Sequence, residues 1–136
     1  DPACVSVCPT TAMHKEGKRG LVLVDETKCV GCGYCVMACP YNAPKVSREL
    51  GYSVKCNGCE ERLNQGLQPI CVMSCPLRAL DFGPIDELRK KYGDTAEIHP
   101  MPSASYTHPN ITIKPSPAAL DPAASKAHVA NPKEVQ

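Results

Sequence analysis

Apolar residues along this chain come in short alternations, each closed by glycine or proline, rather than in one long periodic run. Residues 12–15 and 21–25 alternate with the two-residue period of a half-buried strand. Gly17-Lys18-Arg19-Gly20 between them supplies a polar turn, so this stretch predicts a hairpin. Residues 44–47 and 52–55, on either side of Gly51, predict a second and weaker strand pair. Residues 60–65 have helical character, with Arg62 and Gln65 on a polar face and Gly66 as the stop. Residues 79–82 read as a further strand. Pro84 then opens a helix over 85–92. Its acidic residues, Asp86 and Glu87, suit the N-terminal end, and Arg89, Lys90 and Lys91 suit the C-terminal end. Ile85, Leu88 and Tyr92 form its apolar stripe and Gly93 ends it. Asp86 with Lys90, and Glu87 with Lys91, stand at the i,i+4 spacing that pairs charges. Beyond Asp94 the periodicity disappears, and only Ile111-Thr112-Ile113 resembles a strand. Residues 94–136 therefore read as an extended tail that lies on a partner or is disordered alone.

Composition sharpens this picture. Among 136 residues there are five Tyr, one Phe and no Trp, too few large side chains for a conventional core. Something else must hold the fold, and metal is the natural candidate in small domains. With 15 Lys and Arg against 14 Asp and Glu, there is no basic field for nucleic acid. No apolar run approaches the roughly 18 residues of a membrane span. The tail holds half of the 14 prolines and none of the ten cysteines.

The cysteines fall in runs. Cys29-Val30-Gly31-Cys32-Gly33-Tyr34-Cys35-Val36-Met37-Ala38-Cys39-Pro40 reads C-x2-C-x2-C-x3-C-P, the bacterial ferredoxin run for a [4Fe–4S] cluster. Three thiolates on a tight loop reach different irons of one cube, while Gly31 and Gly33 let backbone N–H groups approach the sulfurs. Pro2-Ala3-Cys4-Val5-Ser6-Val7-Cys8-Pro9 and Pro69-Ile70-Cys71-Val72-Met73-Ser74-Cys75-Pro76 share the pattern P-x-C-x3-C-P. The second of these follows Cys56-Asn57-Gly58-Cys59, giving C-x2-C-x11-C-x3-C-P. C-P-x-x-A occurs three times, at Cys8, Cys39 and Cys75, an internal repeat that marks each exit from a cluster loop.

In two-cluster ferredoxins the fourth cysteine of a run serves the other cluster. By that rule Cys8 joins Cys29, Cys32 and Cys35 on one complete cluster, and Cys4 joins Cys39 on a second that lacks two ligands. Cys56, Cys59 and Cys71 form a third site lacking one ligand, and Cys75 is a lone donor to a fourth site lacking three. Geometry supports the crossing: Cys4 and Cys8, like Cys35 and Cys39, lie a turn apart on a short helix, so their sulfurs diverge toward opposite ends. The chain opens at Asp1 just before a cysteine motif and without an initiator Met, which predicts a preceding segment that carries the missing ligands.

Three other readings of the cysteines compete. A secreted disulfide framework is set aside by spacings that belong to cluster ligands, and cluster assembly points to the reducing cytoplasm. Cys56, Cys59, Cys71 and Cys75 could instead make a structural Cys4 zinc site. A thiol oxidoreductase would need a thioredoxin-like βαβ context, which is missing. His14, His99, His108 and His128 read as surface residues, since their spacing makes no metal motif. Met13, Met37 and Met73 read as gap-fillers around clusters, and Tyr34 and Tyr41 as rings packed over them. Lys28 and Arg62 lie near cluster loops, where a positive charge raises a cluster's potential; a solvated side chain is the other reading.

The segments 2–9, 29–41 and 56–76, and Leu77-Arg78-Ala79-Leu80-Asp81-Phe82-Gly83-Pro84, resemble the iron–sulfur subunits of dimethyl sulfoxide reductases. More broadly they are similar to the four-cluster subunits of molybdopterin oxidoreductases. The similarity covers nearly the whole chain, including Pro109-Asn110-Ile111 and Asn131-Pro132-Lys133, but the first cysteine run and half of the second are missing. The resemblance implies an α+β, ferredoxin-like 4Fe-4S fold with pseudo-twofold internal repeats and an extended C-terminal tail. It implies a ferredoxin-type domain over 1–55 with its central run at 20–49, a second cluster-loop region with a short helix over 56–93, and the tail over 94–136. It implies a non-catalytic subunit that passes electrons through [4Fe–4S] clusters from a quinol-oxidising membrane anchor to a molybdopterin catalytic subunit. Such a subunit is peripheral to the cytoplasmic membrane and binds no nucleic acid. The equivalent subunit of a formate dehydrogenase, polysulfide reductase or tetrathionate reductase type of enzyme is the neighbouring expectation.

Overall fold

A proline or glycine stands near an end of each α-helix in the computed structural model, which describes residues 1–120. Helix α1, Ala3–Ser6, starts after Pro2. Helix α2, Tyr34–Ala38, stops at Cys39, whose backbone is extended (φ −81°, ψ 113°). Helix α4, Ile70–Ser74, stops in the same way at Cys75 (φ −72°, ψ 110°). In both cases a proline follows, and its ring excludes the helical conformation for the residue before it. Helix α3, Glu60–Asn64, ends ahead of Gly66, and α5, Ile85–Tyr92, ends at Gly93.

The two expected hairpins form. Strand β1, Met13–Lys15, pairs antiparallel with β2, Val22–Val24, setting Met13 opposite Val24 and Lys15 opposite Val22. The turn between them is fixed by the Glu16 carboxylate, which accepts from the N–H groups of Lys18 and Arg19 at 2.8 Å each. Strand β3, Lys45–Val46, pairs with β4, Ser53–Val54. Helix α1 packs on both α2 and β1.

The core is small, and thiols make up much of it. Among the described residues, Cys4, Ala12, Met13, Cys35, Pro44 and Pro69 are the buried apolar side chains, with Val5, Val22, Val24 and Val36 packed around Cys4, Met13 and Cys35. The 1–55 and 56–93 segments meet through the first hairpin. Leu21 lies against Gly58, and Arg19 Nη2 donates to Asn64 Oδ1 at 2.9 Å. Small helices with two small antiparallel sheets make this an α+β molecule.

Several sequence expectations are corrected. Residues 79–82 form no strand: Arg78 turns the chain into the left-handed region (φ 50°), and no neighbouring strand offers a ladder. Asp81 instead reaches α5, accepting from Lys91 Nζ at 2.9 Å and Tyr92 Oη at 2.8 Å. Lys91 thus pairs with Asp81 rather than with Glu87 one turn back. Residues 111–113 form no strand either, although the Ile113 N–H donates to the Thr95 carbonyl at 2.8 Å. The described part of the tail lies on its own chain. Thr107 follows a 3-10 turn at Ala104–Tyr106, is buried, shares a 3.0 Å hydrogen bond with Tyr41 Oη, and accepts from the Asp1 nitrogen at 2.8 Å through its carbonyl. His128 and Asn131-Pro132-Lys133 lie outside the described residues. Among the described residues no helix is long and apolar enough to cross a membrane.

Candidate metal centres

Two neighbouring cavities collect six of the ten cysteines. The first is lined by Cys8, Cys29, Cys32 and Cys35 together with Tyr34 and Ser53. The second is open and is lined by Cys4 and Cys39 with Tyr41 and Thr107. Cys35 starts α2 and faces the first cavity, while Cys39, just past its end, faces the second. Cys4 and Cys8 divide in the same way at α1. Four residues apart within a helix, the two thiols of each pair would share a face. They diverge because Cys8 lies past the end of α1 and because Cys39, ahead of its proline, has already turned extended.

Around the first cavity the backbone presents donors to sulfur. The Met13 N–H donates to Cys8 Sγ and the Ser53 N–H to Cys29 Sγ, both at 3.3 Å. Ser53 is buried, and its hydroxyl lies 3.3 Å from Cys35 Sγ. Gly31, between Cys29 and Cys32, is left-handed (φ 66°), and its α-carbon faces the Gly51 carbonyl so closely that a β-carbon would sit 2.6 Å from that oxygen.

The three C-P-x-x-A turns share one geometry. Their third positions after cysteine, Thr11, Asn42 and Arg78, have φ of 56°, 54° and 50°. Holding a side chain there costs about 1–2 kcal/mol. The turn offsets this by returning an N–H to the cysteine that starts it: Ala43 to Cys39 Sγ at 3.4 Å and Ala79 to Cys75 Sγ at 3.3 Å.

These bonds favour the charged thiolate, the form that binds metal. Burial works to raise the Cys8 thiol, but hydrogen bonds from the Met13 N–H, Thr10 and the Ala12 backbone outweigh it and hold the group below its ordinary value. The Ala79 N–H does most to lower the Cys75 thiol. Cys4 is pushed up, first by burial and then by the charge of Cys39 beside it.

The donor set fits an iron–sulfur cube. All ten cysteines are free thiols. Those of the first cavity stand around its wall, as separate iron corners require. Among the described residues no three His, Cys, Asp or Glu side chains converge where one metal ion would sit. Cys56, Cys59, Cys71 and Cys75 are therefore not assembled as the zinc site that their spacing also allowed. The Cys56 sulfur accepts from the Gly58 N–H at 3.4 Å, Cys59 begins α3, and Cys71 lies exposed on α4.

Other expected residues divide. Tyr34 and Tyr41 each line a cavity. Met13 is buried, but Met37 is 75% exposed and fills no gap. Met73, also exposed, accepts from Arg62 Nη2 at 2.9 Å. That bond and one from Arg62 Nε to the Gln68 carbonyl tie Arg62 to α4 and to the loop before it. Lys28 is paired with Asp25 at 2.9 Å. His99 and His108 are exposed, and His14 Nδ1 lies 3.1 Å from the Ala12 carbonyl. Sequence reasoning missed Ser53, Lys55 and Thr107. Only Lys55 carried a signal, its position directly before the Cys56 loop.

A protein-family model described as a 4Fe-4S dicluster domain matches residues 1–85. The B subunit of the anaerobic dimethyl sulfoxide reductase of Escherichia coli (strain K12) is 56% identical over 135 residues, which is 99% of this chain and 65% of that protein. The hydrogenase-2 operon protein HybA of Escherichia coli O157:H7 is 41% identical over 120 residues, covering 84% of this chain and 36% of that protein. The thiosulfate reductase electron transfer subunit PhsB of Salmonella typhi is 47% identical over 85 residues, covering 62% and 44%. The chain thus spans 65% of the length of the dimethyl sulfoxide reductase subunit that it matches. With a family model that matches well over half of its length and a thiol-lined cavity that suits the cofactor, the chain belongs to the 4Fe-4S dicluster family, and its cofactors are [4Fe–4S] clusters.

Proposed function

We infer that this chain is the cluster-bearing part of an electron-transfer subunit of the dimethyl sulfoxide reductase type. It relays electrons from a quinol-oxidising membrane subunit to a molybdopterin catalytic subunit and is not itself catalytic. The observation that carries this reading is the division of α1 and α2, each of which serves two adjacent thiol-lined cavities. The similarity to the dimethyl sulfoxide reductase subunit names the type of complex.

When bound, the clusters supply one-electron redox steps. The rest is the work of this chain's residues. Cys8, Cys29, Cys32 and Cys35 hold one cluster; Cys4 and Cys39 hold a second together with ligands from elsewhere in the subunit. Cys56, Cys59 and Cys71 contribute to a third, and Cys75 to a fourth. The Met13 and Ser53 N–H groups hold Cys8 and Cys29 in orientation, and Tyr34 and Val30 line the first cavity. The three matching C-P-x-x-A turns support a pseudo-twofold repeat of cluster loops over 1–55 and 56–93, with 94–136 as a tail. The complex is placed at the cytoplasmic membrane, with this subunit peripheral.

Anaerobically reconstituted protein is expected to bind iron and sulfide in equal amounts and to absorb broadly in the visible. Cys8→Ser is expected to remove or convert the cluster of the first cavity, and Cys39→Ser to spare it, as read by electron paramagnetic resonance. Stoichiometric zinc without sulfide would overturn the function, and a first-cavity cluster lost in Cys39→Ser but kept in Cys8→Ser would overturn the pairing.

A further inference from the structure

Among the described residues, Lys55 is the one half-buried ammonium that stands among the thiols of different sites. Its Nζ donates to the Val22 carbonyl and, at 2.6 Å, to the Cys56 carbonyl. Val22 lines the cavity of Cys4 and Cys39, and Cys56 opens the next cysteine loop. Burial pulls the Lys55 ammonium below its ordinary value, and the charges of Cys56, Cys4 and Cys39 work to raise it again. Neither Val22 nor Cys56 lines the first cavity, and Lys28 and Arg62, two other cations close to cysteine loops, are engaged elsewhere.

We propose that Lys55 is a shared tuning charge between the Cys4/Cys39 site and the Cys56 site, favouring the reduced form of both clusters while leaving the first cavity's cluster alone. The inference rests on the cluster assignment made above. Its physical basis is that an arriving electron adds one negative charge to a thiolate-bound cluster. A fixed ammonium nearby, partly withdrawn from water, stabilises that added charge. The two carbonyls hold the ammonium in place, so its distance from each site is set by β2 and by the Cys56 loop rather than by a mobile side chain. Cys4 and Cys39 belong to one site and Cys56 to another, so one charge raises two neighbouring steps together.

The test is a redox-poised electron paramagnetic resonance titration of the whole subunit in its complex, in wild type, Lys55→Met, Lys55→Gln and Lys55→Arg. The signals are assigned beforehand with Cys8→Ser and Cys39→Ser. The neutral variants are expected to keep their iron and sulfide, to shift two cluster potentials downward, and to leave the Cys8 cluster unchanged. Lys55→Arg is expected to restore both potentials toward wild type. Unchanged potentials, an equal shift of every cluster, or failure of arginine to rescue would overturn the proposal. Loss of iron from both neutral variants would overturn it too, because Lys55 would then be a structural tie alone. Absence of iron and sulfide from the wild type would instead sink the cluster assignment, a separable outcome.

Discussion

Gly31 and Gly58 occupy the same place in their C-x-G-C loops and have nearly the same backbone, φ 66° and 67°, yet they face different neighbours. A β-carbon on Gly31 would meet the Gly51 carbonyl at 2.6 Å, whereas on Gly58 it would meet Leu21 Cδ2 at 2.9 Å. Either alanine carries the left-handed cost of about 1–2 kcal/mol. The leucine methyl swings aside, but the Gly51 carbonyl belongs to a turn closed by the Gly51 N–H on Ser47 at 2.9 Å. Gly31→Ala is therefore expected to cost more stability than Gly58→Ala and to lower the iron content of the first cavity, measured by metal analysis and thermal melts. Both glycines are visible in the sequence as loop residues. The difference between them is not, because it depends on Gly51 and Leu21 arriving from other elements. Lys55 was hidden for the same reason: the carbonyl that fixes it, that of Val22, lies 33 positions away.

Elements were legible where a short alternation was closed by its own turn. Both hairpins, and α5 to the residue, follow from local period and from Gly17, Gly20, Gly51 and Gly93. Residues 79–82 were misread because Ala-Leu-Asp-Phe alternates like a strand, although its job is to carry Asp81 to α5. That tie gives α5 a defined pH range. Hydrogen bonds from Lys91 first, then from Tyr92 and the Phe82 N–H, lower the Asp81 carboxyl from 3.8 to about 2. A depressed carboxylate stabilises fully above its unfolded value and loses that contribution as pH falls toward the folded one. Lys91 is raised by Tyr92 and Asp81, so its share is present below 10.5 and fades only as pH climbs past that value. Protection of the α5 amides, corrected for intrinsic exchange, should hold from pH 4 upward and drop between 4 and about 2. Asp81→Asn should lower that protection at neutral pH and remove the acid step.

At the scale of the molecule, two of the six buried apolar side chains among the described residues are Cys4 and Cys35. The pieces of backbone that meet there are four- and five-residue helices and three-residue strands, none stable alone. On the ligand assignment proposed above, the groups that hold the clusters are also groups that hold the fold. Removing iron anaerobically with a chelator is expected to abolish helical circular dichroism and amide protection over 1–55 together with the visible absorption, in one transition. Retention of a native far-ultraviolet spectrum after complete iron loss would show that the protein core suffices. Composition raises the same expectation, since so few aromatics accompany so many cysteines. The cavities themselves were readable only as ligand pairings, because their walls also need Ser53 and Thr107.

The bond between Tyr41 and Thr107 joins residues 66 positions apart, and it lies on the wall of the Cys4/Cys39 cavity, while the first cavity uses nothing beyond Ser53. On the ribosome this sets a schedule. A nascent chain that has emerged only as far as Ser53 already has every wall of the first cavity, whereas the second waits until the tail has cleared the exit tunnel and swung back. Two sites side by side in space thus draw their walls from very different lengths of chain.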